Sequence, residues 1–142
     1  NNPLNWHGKT GLEKLKNSFK EAFSNLEQQK LAYSAAITLR SPRLLGEQYL
    51  AMFQYAVPEI KTIIDEGVAD GSIQTDFPEE LADLIVLTFN IWIGFQSSTL
   101  TKEELRRKIR FIKQTFDGLQ IELIDDELLN IIDSLFIQLK EE

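Results

Sequence analysis

The segment from Leu81 to Phe95 limits the fold more than any other part of the chain, because as a helix it is apolar on nearly every side. Leu81, Leu84, Leu87, Ile91 and Phe95 fall on one side at three- and four-residue steps, while Ala82, Ile85, Phe89, Trp92 and Ile93 spread over the others. A helix on the outside of a monomeric bundle buries a single stripe. One that is apolar all round needs cover on a second side, from a central position or from a partner subunit. Thr88 and the polar residues around it interrupt the run too often for it to span a bilayer, so no membrane association is expected.

The rest of the chain supplies helices to surround it. A first helix is expected from about Thr10 to Asn25, with Leu12, Leu15, Phe19, Ala22, Phe23 and Leu26 in one stripe and Lys14, Lys16 and Lys20 away from it. Small residues in the next, about Glu27 to Leu39, suggest an interior packing helix. Ser41-Pro42 is a start signal, since Ser accepts an orphan N–H and Pro loses nothing at the first helical position. The long stripe that follows keeps its phase through Pro58, which predicts a kink without a break, and Asp70-Gly71 ends it. Asp76 with Glu79 and Thr101 with Glu104 have capping-box spacing, and Asp125 opens a last helix carrying Leu128, Ile131, Ile132, Leu135 and Leu139. The expected fold is all-α, an antiparallel bundle of about six helices forming one domain over residues 1–142.

Chemistry has little material here. Cysteine is absent and His7 is the one histidine, so neither a thiolate site, a catalytic triad nor a two-histidine metal site can be assembled. The pairs Glu79-Glu80, Glu103-Glu104 and Asp125-Asp126 sit at expected helix starts, where the helix dipole favours negative charge. No catalytic residue, metal or cofactor is expected. A net charge of -7 argues against DNA contact by this segment, and Arg106, Arg107, Lys108, Arg110 and Lys113 read as a solvated face. The lack of cysteine fits a cytoplasmic setting. With Asn1 first and no signal-peptide pattern, the sequence is expected to begin inside a longer gene product.

Tyr49, Met52, Phe53, Phe89, Asn90 and Trp92 combine pliable and aromatic surface with a few polar tips on two helices expected to be neighbours. Each alone fits plain core packing. Together they also fit a pocket for a small apolar ligand.

From Ser41 to Phe95 the order of parts resembles a known family. A long helix ends in Ile60-Lys-Thr-Ile63-Ile64-Asp-Glu-Gly67-Val-Ala-Asp-Gly71-Ser-Ile73, then comes Asp76-Phe-Pro-Glu79-Glu80-Leu81-Ala82, then the apolar helix closing in Ile91-Trp92-Ile93-Gly94-Phe95. This resembles the C-terminal half of bacterial TetR-family transcriptional regulators. The resemblance implies a homodimer that binds a small, largely apolar effector and touches DNA only through an N-terminal helix-turn-helix domain absent from this chain. It implies an interface on the apolar helix and a C-terminal helix, here Leu84, Leu87, Ile91 and Phe95 with Leu128, Ile132 and Leu135. The effector would shift the population toward a dimer geometry that misfits DNA. The rival expectation is a helical protein-interaction or ligand-carrier module without DNA binding.

Overall fold

The computed structural model describes residues 7–38, 41–94 and 96–140. Among them every regular element is helical, and six helices pack against one another. Helix α1 (Gly11–Ser24) starts where its cap predicts, the Thr10 hydroxyl accepting the Glu13 N–H at 3.1 Å. Leu15 is fully buried at its centre, and Phe19 and Phe23 continue the stripe, packing against the core.

Helix α2 (Leu26–Thr38) corrects an expectation. Its small residues do not mark an interior position: Leu31 is 69% exposed, Ala32 and Ala35 are exposed, and among its described side chains only Ala36 is buried. Alternating small and polar residues leave it without a deep apolar stripe, so it lies on the rim. Leu39 falls outside the described residues.

The third helix is continuous from α3 (Pro42–Ala51) through a π-helical turn (Met52–Ala56) into α4 (Val57–Asp70). Pro58 has no N–H to return to Gln54, and the chain accommodates this with a widened turn in which the Val57 N–H reaches back to the Met52 carbonyl. Such a turn takes an extra residue and rotates the faces on its two sides relative to each other. Tyr49 is exposed and no residue of α3 is buried, because this helix extends beyond the core that covers Ile63 and Ile64. At the start of α3, Ser41 occupies the cap position without a side-chain hydrogen bond, and Pro42 alone carries out the expected role. Gly71, at φ 84°, ends α4 in the left-handed conformation.

The apolar segment is α5 (Pro78–Val86) running into a second π-helical stretch (Leu87–Ile93). Asp76 and Glu79 do not form the expected capping box. Phe77 takes the cap position, and its N–H is held by the Thr75 hydroxyl at 3.0 Å. The box at α6 (Lys102–Gly118) does form: the Glu104 N–H reaches the Thr101 hydroxyl at 3.1 Å, and the Thr101 N–H reaches the Glu104 carboxylate at 2.8 Å. The helix passes through Gly118, and the left-handed residue that turns the chain is Gln120, at φ 62°.

Helix α7 (Asp126–Lys140) lies against α1 and α6, while α4 bridges α1 and α5. Its start is fixed electrostatically. Asp125 accepts the Leu128 N–H at 2.9 Å and lies 3.0 Å from the ammonium groups of both Lys16 and Lys20, so the two lysines of α1 are structural partners of α7. Burial pushes the Asp125 carboxyl up, but the Leu128 N–H and the two lysines outweigh it and hold the group down to about 2. No described helix is long and apolar enough to cross a membrane.

Candidate functional site

The helix Leu81–Ile93 separates two concave regions. On its inner side is a partly open cavity of about 510 Å³, bounded by α1, α2, the first π turn and α7. Its aromatic wall is Phe19 and Phe23 of α1 against Phe89, with ring centroids 4.7 Å apart for Phe19–Phe89 and 6.0 Å for Phe23–Phe89. Met52, Ile93, Leu135 and Phe136 complete the apolar lining, each almost fully buried. The polar lining consists of amides and hydroxyls: Gln29, Tyr33, Gln48, Asn90 and Ser97.

On the outer side lies an apolar groove of about 360 Å³ between this helix and α6. Leu84, Leu87, Ile91 and Trp92 form one wall, and Phe111 and Thr115 lie across it. Trp92 meets Phe111 edge to face at 6.2 Å, while the Lys108 ammonium sits 4.4 Å over the indole. Burial pushes the Lys108 ammonium down, against the opposing pull of Glu104. Leu84, Trp92 and Phe111 are more than a third exposed, so the groove is open apolar surface in this chain.

Comparison with family models, curated proteins and solved structures returned no match.

The six residues expected to form a pocket divide between three places. Met52, Phe89 and Asn90 line the inner cavity together. Trp92 faces the outer groove instead, because it stands two positions beyond Asn90 on the same helix and so points away from the cavity. Tyr49 and Phe53 pack on each other with tilted rings, centroids 4.9 Å apart, and line neither region.

The expected interface residues divide as well. Leu84, Leu87 and Ile91 lie on the open groove, and Phe95 falls outside the described residues. Leu128 and Ile132 are fully buried in the chain's own core, and Leu135 lines the inner cavity, so these three residues do not lie on the groove. Across the groove from Leu84, Leu87 and Ile91 stand Phe111 and Thr115 of α6. Phe111, 61% exposed, lies outside the Leu105-Ile109-Ile112-Phe116 stripe that identifies α6 as amphipathic. An aromatic residue off the buried stripe is the signal that marks it.

The sequence pattern alone does not single out Phe19, Phe23 and Gln48 as cavity residues. The two phenylalanines continue the α1 stripe one and two turns beyond buried Leu15, where the helix runs past the core and onto the cavity. Among the described residues no three His, Asp or Glu side chains are grouped to hold a metal ion. Two of the basic residues of α6 are engaged with their own chain: Arg110 pairs with Asp133 at 2.9 Å, and Lys113 donates to the Ile124 carbonyl at 2.8 Å.

Proposed function

We propose that this chain is the effector-binding and dimerisation domain of a TetR-like transcriptional regulator, sensing a small, largely apolar molecule and coupling it to release of DNA by a helix-turn-helix domain elsewhere in the protein. One observation carries the reading. A single helix lines a ligand-sized cavity with Phe89, Asn90 and Ile93, and lines an open apolar face with Leu84, Leu87 and Ile91.

A cavity of about 510 Å³ is within the range of small-molecule sites. The open face is apolar at its centre with Lys108 over Trp92 at its edge, which fits the apolar core and polar rim of subunit interfaces. In a two-fold dimer the Leu84, Leu87, Ile91 and Phe111 surfaces would pack against their own copies.

The segment joining the two regions is π-helical from Leu87 to Ile93, with the Gly94 N–H reaching back to the Phe89 carbonyl at 3.1 Å. Wide turns of this kind are less regular than α-helix and recur at functional sites. A ligand that displaces Phe89 would act on the same turn that presents Ile91 and Trp92 outward, so binding and dimer geometry share one element.

Light scattering at several concentrations tests the reading. A dimer of about 33 kDa, twice the 16.3 kDa chain, is expected. A strict monomer would favour the helical interaction or carrier module over the regulator.

A further inference from the structure

Charge, or rather its absence from the lining, narrows what the inner cavity can accept. Among the described residues that form its wall there is no Asp, Glu, Lys, Arg or His. A carboxylate or an ammonium entering such a site would give up part of its hydration at a mouth formed by the exposed Gln48 and Asn90 without gaining a counter-ion, which is unfavourable. The polar groups that are present have a different character. Gln48 and Asn90 are amides that both donate and accept, and neither side chain forms a hydrogen bond with any described residue. Gln29 is partly engaged, its amide nitrogen donating to the Ala22 carbonyl at 3.0 Å, and the Ser97 hydroxyl donates to the Gly94 carbonyl at 2.9 Å, which leaves its oxygen free to accept.

The apolar half has its own preference. Phe19 and Phe89 are tilted at 39° and Phe23 and Phe89 at 57°, so the three rings offer both edges and faces to a flat guest. At the packing density of a protein interior, with room left at the mouth, the volume suits on the order of fifteen non-hydrogen atoms.

Resting on the effector-site reading, we infer that the cavity takes an uncharged aromatic molecule that carries an amide, carbonyl or hydroxyl group, with the ring against Phe19, Phe23 and Phe89 and the polar group at Gln48 and Asn90. Among the described residues, Lys140 is a cation that could contradict this. Its ammonium is outside the lining, 5.1 Å over the Tyr33 ring, whose electron-rich face already holds it.

Three probes of one shape decide the matter: 2-naphthamide, 2-naphthoate and 2-naphthylmethylammonium, titrated into the chain at pH 7 and followed by naphthalene fluorescence. The amide is expected to bind at least tenfold more tightly than either ion. Gln48→Leu with Asn90→Leu is expected to remove that preference without unfolding the chain, since both side chains are solvent-exposed. Naphthoate binding as tightly as the amide, and losing affinity in Lys140→Met, would overturn the inference while leaving the effector site standing. The same holds for preferential binding of the ammonium probe. If none of the three saturates below millimolar concentration, both the inference and the effector-site reading fall.

Discussion

Gly11 and Gly67 cross backbone to backbone: a Cβ placed on Gly11 would fall inside the main chain of Gly67. The start of α1 is thereby pressed onto α4, and the contact is tied by the Gly11 N–H to the Asp70 carboxylate at 2.8 Å and the Leu12 N–H to the Ser72 hydroxyl at 3.1 Å. Gly11→Ala has no flexible side chain to displace and must separate the helices, costing about 1–3 kcal/mol. Gly46, in the middle of α3 with nothing within 4 Å of a built Cβ, provides the opposite case. Gly46→Ala should stabilise by about 0.5–1 kcal/mol through helix propensity. Urea midpoints of the two variants should move in opposite directions.

Asp125 makes stability fall in acid. Its folded-state carboxyl lies at about 2, below the ordinary value near 4, so its contribution is complete above the unfolded value and is lost as pH drops through the range from about 5 to 2. With partial solvent screening the effect is about 1–2 kcal/mol. Asp125→Asn keeps an N-cap oxygen for Leu128 but loses both lysine partners, so it should cost a similar amount at pH 7. It should also flatten that part of the stability-against-pH curve, measured by denaturant unfolding at each pH.

Helices and their core faces are legible in the sequence because burial follows a fixed period: Leu105, Ile109, Ile112 and Phe116 form an unbroken stripe and are all buried in the fold. The cavity is only half legible. Met52, Phe89 and Asn90 stand out from the pattern, but a periodic stripe does not show that α3 extends beyond the core, where Tyr49 lies exposed and packs on Phe53. Nor does local pattern distinguish a wide apolar face that is core from one that is open. The wide face of α7 shows this: Leu128 and Ile132 are covered by the chain itself, whereas Leu84 and Phe111 are not. Which face is covered depends on contacts between residues far apart in sequence, such as those of α1 with α7.

Phe111→Glu tests the outer face with little risk to the fold. The side chain is 61% exposed and touches the edge of Trp92 at the groove, so a charge there remains hydrated in the monomer and would be stripped of water in a dimer. The variant is expected to shift the mass measured by light scattering from dimer to monomer while its circular dichroism stays helical. Ile109→Glu, at a fully buried position of the same helix, should instead unfold the chain. Retention of the dimer in Phe111→Glu would remove α6 from the interface.

The cavity assignment separates residues that a constant helical phase would group together. Phe89 is 7% exposed and its ring meets those of both Phe19 and Phe23, so Phe89→Leu should weaken 2-naphthamide binding about three- to tenfold through loss of the aromatic contacts. Phe53 packs on Tyr49 and lines no part of the cavity. Phe53→Ala should therefore leave the affinity within about twofold, since no ring contact to the ligand is lost. Fluorescence titration of both variants checks the pair. If Phe53→Ala abolished binding while Phe89→Leu left it unchanged, the ligand would sit on the Tyr49–Phe53 surface of the long helix and not in the cavity beneath Phe89.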